Sequence, residues 1–198
     1  GEVLSHQSGL SAVSDRSASF LDHDAVIRAI ENQAPFWESG DGHGYGPRTY
    51  GFLADELVRR LSDRKLGDYW REEFGQPMEL DLWLGLPEAE HGRAAQILAA
   101  RSVPSARDPF AQAMAVPDSL TRAAFSSPSA ALSPSAMNSP AMRSAGFPSL
   151  GGIGSAEALA KFYAMLASGG TWEGRRYFSP ESLRSMTTPL TQGLDRTL

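Results

Sequence analysis

The chain has 198 residues, 41% of them hydrophobic and 21% charged, and 18 Lys and Arg against 23 Asp and Glu leave a formal net charge of -5. That length suits one domain or a compact two-part domain, and the acidic balance argues against a nucleic-acid footprint, which needs clustered Lys and Arg. With no cysteine, disulfide frameworks, Cys-type zinc sites and thiol catalysis are all excluded.

No apolar run approaches the roughly 18 residues of a membrane span, and no signal-peptide pattern opens the chain. A membrane partner is therefore not expected, and the compartment stays open with the cytoplasm preferred. Gly1-Glu2-Val3-Leu4 carries no initiator Met, which suggests a processed or cut sequence.

The segment up to Phe20 is rich in Ser and small residues and reads as loop. Asp22 or Asp24 then caps a helix carrying Val26, Ile27 and Ile30, with Pro35 marking its end. In the turn region that follows, Gly40, Gly42, Gly44 and Gly46 alternate with other residues. Such density implies tight backbone geometry or close approach of the backbone to another group. Tyr50, Leu53, Leu57 and Leu61 step onto one face of the next helix. Asp55–Arg59 and Glu56–Arg60 form acid-first i,i+4 pairs on the other. Leu66, Tyr69, Trp70 and Phe74 make a shorter amphipathic helix that Pro77 stops.

Leu80 to Leu84 alternates apolar and polar residues and predicts a strand, with Ala94 to Ala100 a second strand candidate. From Ala123 to Gly154 the only charged residue is Arg143, and Ser, Pro and Ala dominate. Linker composition of this kind usually stays unfolded, but Met137, Met142, Phe147 and Leu150 give it something to bury, which favours ordered coil with short helical turns. Ser155 caps a helix bearing Leu159, Phe162, Tyr163 and Leu166, and Gly169-Gly170 ends it. A turn or hairpin from Trp172 to Phe178 leads to a last helix at Ser179-Pro180-Glu181, where proline suits the first turn.

Two loops hold candidate chemistry. Ser5-His6-Gln7-Ser8-Gly9 sets a histidine beside two serines, but neighbours in sequence rarely reach triad geometry, so a structural turn is favoured. Gly44-Tyr45-Gly46-Pro47 holds a tyrosine directly before a helix. A phenol with pKa of about 10 is a poor general base unless a cation or helix dipole lowers it, and read alone Tyr45 is a packing residue. His6, His23, His43 and His91 are too scattered for standard ligand spacing, so no metal is expected. Neither Gly42-His43-Gly44 nor Gly151-Gly152-Ile153-Gly154 has the ending of a phosphate loop, and no cofactor is expected. Ser62-Asp63-Arg64-Lys65 fits Ser-x-x-Lys as a string, yet reads as a solvated helix end.

Taken together, the loops resemble the serine beta-lactamase-like superfamily, class C beta-lactamases and the related esterases above all. The resemblance rests on Leu4-Ser5-His6-Gln7-Ser8-Gly9-Leu10, then His43-Gly44-Tyr45 with Thr49-Tyr50-Gly51-Phe52-Leu53 and Leu57-Val58-Arg59-Arg60-Leu61. Gly151-Gly152-Ile153-Gly154-Ser155-Ala156 and Leu159-Ala160-Lys161-Phe162-Tyr163 extend it.

By this resemblance Tyr45 matches the catalytic tyrosine, which helps take the proton from a serine nucleophile and passes it to the leaving group. Pro47 stands where class C enzymes carry a substrate-orienting asparagine, a departure shared with many of the esterases. The family's Ser-x-x-Lys nucleophile motif, upstream of the His6 loop, and its C-terminal Lys-Thr-Gly-type motif are not found in this chain. The implied fold is mainly α with a few short strands, the helical region of the α+β beta-lactamase/transpeptidase-like fold. It is expected as one partial domain over 1–198: Tyr loop and helices to 100, a Ser/Pro-rich coil over 101–154, and C-terminal helices from 155.

The implied activity is acyl-enzyme hydrolysis of a small-molecule ester or amide, with Tyr45 as general base. A non-catalytic binding or scaffold module of the same fold is the alternative. Helical faces deprived of the family's sheet would expose apolar surface, which usually finds a partner, so a homo-oligomer or companion chain is expected.

Overall fold

A computed structural model describes residues 1–99, 105, 107–129 and 133–198. Helix α1 runs His23–Asn32, and the Asp22 carboxylate caps it by accepting from the Ala25 amide. Its buried Val26, Ile27 and Ile30 are the three apolar residues read from the sequence. They pack with Phe20, Phe52, Met142 and Phe147 in the first of two apolar clusters. Phe20 is wholly buried, its ring 4.2 Å from Phe147 and 5.2 Å from Phe52.

Helix α2 spans Thr49–Ser62 and ends on Asp63 in the left-handed region. Both acid-first pairs form, Asp55–Arg59 at 2.8 Å and Glu56–Arg60 at 2.7 Å. The predicted apolar stripe does not bury along its length: Leu57 is 40% and Leu61 86% exposed. Burial falls instead on Thr49, Gly51 and Phe52, because α1 and the first cluster meet the N-terminal half of α2.

Helix α3, Leu66–Trp70, widens into a π-helical turn, Arg71–Gly75. The Trp70 indole donates to the Leu82 carbonyl at 2.9 Å and Trp70 stacks on Phe74. These rings join Met78, Leu80, Ala158 and Met165 in the second cluster. Strand β1, Leu82–Leu84, pairs antiparallel with β2, Gly152–Gly154. A Cβ on Gly154 would lie 2.7 Å from the Asp81 carbonyl, so glycine is what lets the two strands approach.

The second strand candidate does not form over 94–99, and Ala100 lies outside the described residues. The backbone pairing there is taken by one side chain: the Asn138 amide donates to the Ile97 carbonyl and its oxygen accepts from the Ile97 amide, both at 2.9 Å. A 3-10 turn, Glu88–Arg93, precedes it. The Ser/Pro-rich stretch is more helical than coil with turns, holding α4 Pro109–Ala115, α5 Leu120–Ser126, α6 Pro134–Met137 and α7 Pro140–Ala145. Asp108, Ser119, Ser133 and Ser139 cap them through side-chain oxygens, each satisfying an amide that the first helical turn leaves open. Met142 and Phe147 are buried as expected, whereas Leu150 is 36% exposed.

Helix α8, Ala156–Ala167, is capped by Ser155, and Gly169 and Gly170 follow with positive φ. Ala158 and Met165 are buried and Phe162 and Leu166 of the predicted stripe pack against the same cluster, while Leu159 and Tyr163 are exposed. Strands β3, Thr171–Trp172, and β4, Arg175–Arg176, form the expected hairpin. Helix α9, Pro180–Thr187, starts at the predicted Ser179 cap. The result is mainly α with a few short strands, and among the described residues no helix is long and apolar enough to cross a membrane.

Candidate active site

The two loops singled out in the sequence meet in space. The Gly44 amide donates to the His6 carbonyl at 3.1 Å, and the Gly46 amide to His6 Nδ1 at 3.3 Å. His6 itself has a positive φ of 58°, a conformation uncommon outside glycine. Its ring lies 5.2 Å from Tyr45, edge to face, and 4.7 Å from Tyr50. His6 is thus a scaffold for the Tyr loop, in line with the structural turn read from the sequence. Of the serines beside it, Ser5 turns back on its own segment, its Oγ donating to the Gly1 carbonyl and accepting from Gln7 Nε2.

Tyr45 sits on this scaffold just ahead of the α2 N-terminus. Its ring is flanked on another side by Phe125 of α5 at 6.2 Å. The residue is 41% exposed, and its hydroxyl makes no hydrogen bond among the described residues. The phenol thus packs against two rings in a loop that runs directly into the first turn of α2. Gly44 is needed for the fit: a Cβ there would meet Trp37 Cη2 at 2.6 Å and Thr197 Oγ1 at 2.7 Å.

Three supports of the loop have no signature in the sequence. Arg48, 7% exposed, donates from Nη1 to the carbonyls of Pro128 at 2.7 Å and Ser126 at 3.3 Å, tying the start of α2 to the end of α5. Burial pulls its pKa below the usual arginine value, but the carbonyls supply partners for the charge. Phe125 is the second. The third is Asp195, whose carboxylate accepts from the Tyr45 amide at 3.0 and 3.2 Å.

Ser62-Asp63-Arg64-Lys65 lies where α2 ends. Ser62 Oγ donates back to the Val58 carbonyl at 2.8 Å, and the chain leaves the helix through Asp63. On the opposite face of α2 from Tyr50 lies an open cleft of about 340 Å³, lined by His23, Phe52, Asp55, Arg59, Lys65 and Asp68 among others. His23 Nε2 is 3.3 Å from Asp55 and 3.7 Å from Glu56, without hydrogen-bond geometry to either carboxylate.

Both histidines titrate below the ordinary value. Burial is the main cause for His6, reinforced by His43 and opposed by Asp195. Burial again leads for His23, with Arg59 acting the same way and Asp55, Asp24 and Glu56 opposing. A depressed folded pKa means that the neutral form is favoured in the fold. Its contribution to stability is complete above the unfolded value of about 6.5 and is lost as pH falls through the folded values. Urea unfolding midpoints should therefore hold steady above about pH 6.5 and drop below it. The His6→Gln, His23→Gln double variant should flatten that drop, and a midpoint that rises on acidification would contradict it.

The comparisons with known proteins agree in family. The family described as Beta-lactamase matches residues 1–198. The esterase/beta-lactamase LipL of Mycobacterium tuberculosis (strain ATCC 25618 / H37Rv) is 29% identical over 202 residues, which cover 100% of this chain and 47% of LipL. A penicillin-binding protein homolog from Caulobacter crescentus is 33% identical with a TM-score of 0.81, covering 100% of this chain and 50% of that one. A family VIII carboxylesterase is 30% identical with a TM-score of 0.77, covering 94% and 47% respectively. The chain spans about half the length of these relatives.

Proposed function

This chain belongs to the beta-lactamase family, and from that membership we propose that it supplies the Tyr-loop part of a serine hydrolase of the esterase type, with Tyr45 as its general base. The supporting observation is the meeting of the His6 and Tyr45 loops, with Tyr45 41% exposed and its hydroxyl without a hydrogen bond among the described residues. A serine hydroxyl is inert at neutral pH without an adjacent base. As the serine oxygen attacks the ester or amide carbonyl, Tyr45 in its phenolate form accepts the serine proton and becomes a phenol. It then returns a proton to the leaving alcohol or amine as the carbonyl re-forms, leaving the acyl group on the serine for water to remove. Pro47, in the place of the orienting asparagine of class C enzymes, favours ester over beta-lactam substrates.

The complete gene product should take up one fluorophosphonate adduct by intact mass and hydrolyse a short-chain p-nitrophenyl ester. Failure of both would overturn the reading and leave the chain as a non-catalytic binding module of the same fold.

A further inference from the structure

Resting on the assignment of Tyr45 as base, we propose that Asp195 is a positioning residue whose carboxylate clamps the main chain at Tyr45 and thereby sets the aim of its phenol. Three amides converge on this carboxylate. Those of Thr197 at 2.7 Å and Leu198 at 3.0 Å make a local turn of a kind Asp commonly forms. The third, from Tyr45, comes from 150 residues away and reaches both oxygens. A local turn has no need of it.

The segment carrying Asp195 is itself held from two sides, which makes it a fixed point rather than a loose tail. Thr197 is 1% exposed, and its carbonyl accepts from Thr121 Oγ1 at 2.7 Å. The Arg196 amide donates to the His43 carbonyl at 2.9 Å, and its Nη2 to the Asp41 carbonyl at 2.6 Å. By contrast the Tyr45 ring meets the rings of His6 and Phe125 at 5.2 and 6.2 Å, and its oxygen has no hydrogen bond among the described residues. Weak ring contacts leave the direction of the phenol to its backbone, and a displacement of about 1 Å at a reacting group costs on the order of 100-fold in rate.

The test compares Asp195→Ala, Asp195→Asn and Tyr45→Phe in the complete gene product by amide hydrogen exchange across residues 43–47 and by steady-state ester hydrolysis. Asp195→Ala should speed exchange of the Tyr45 amide at least ~10-fold and lower kcat about 10- to 100-fold with KM nearly unchanged. Asp195→Asn keeps a carbonyl acceptor but loses the charge that strengthens it, so it should recover only part of both losses and still show a measurable defect if the alanine variant fails to fold. Unaltered Tyr45 exchange in the two Asp195 variants overturns the clamp, as does loosened exchange at wild-type kcat. Full activity in Tyr45→Phe overturns the base instead, and the exchange measurement then still decides the clamp by itself.

Discussion

Replacing Tyr45 with phenylalanine should lower kcat for ester hydrolysis by about 100- to 10,000-fold, the usual range for a lost general acid or base. The change removes one oxygen and keeps the ring that packs against His6 and Phe125. Fold and KM should therefore be nearly untouched, which separates lost proton transfer from lost binding. Tyr163→Phe on the exposed side of α8 is the control and should leave the rate at wild type. Activity within about threefold of wild type in Tyr45→Phe would show that the proton travels by another route.

Phe20→Ala should reduce the unfolding free energy by about 3–5 kcal/mol, a large share of the roughly 5–15 kcal/mol that holds an ordinary domain together. Phe20 is fully buried between Phe52 of α2 and Phe147 beyond α7, with α1 against it. Removing its ring opens a cavity among elements that are tied elsewhere and cannot close on it. Arg48 stands 5.9 Å from the same ring, so the anchor of the Tyr loop shares that wall. Chemical denaturation measures the effect, and a loss below about 1 kcal/mol would mean that the cluster repacks.

Local signals were the legible ones. Asp22, Ser155 and Ser179 mark helix starts in the sequence and cap helices in the structure. The same grammar was present in Asp108-Pro109, Ser133-Pro134 and Ser139-Pro140, each a cap followed by a first-turn proline. Overall composition hid it, because Ser and Pro counted over a long window look like linker whatever their order. The stripes on α2 and α8 pack inward only in part, through Leu53 on one and Phe162 and Leu166 on the other. Periodicity shows that a face exists, but which leucines lie inward depends on neighbours far along the chain. Leu61 is apolar by type and exposed by position.

The site divided along the same line. Its two loops carried motifs, and their order along the chain brought Tyr45 forward as the candidate base. Arg48, Phe125 and Asp195 carry none. Arg48 looks like any arginine at a helix start until its guanidinium is seen facing two carbonyls. Asp195 sits in an undistinguished polar stretch, and only the fold brings it to Tyr45.

The Tyr45 loop is thus closed by contacts to residue 6 on one side and residue 195 on the other. Closing long loops carries an entropy that no local propensity offsets in advance, and contacts of such sequence separation slow the search for the native state. Helices α1, α2 and α8 form from neighbours in the chain, whereas the loop acquires its shape only when distant segments arrive. The shape of the Tyr45 loop is therefore a late product of folding, and its recovery after dilution from denaturant should lag behind the recovery of helix.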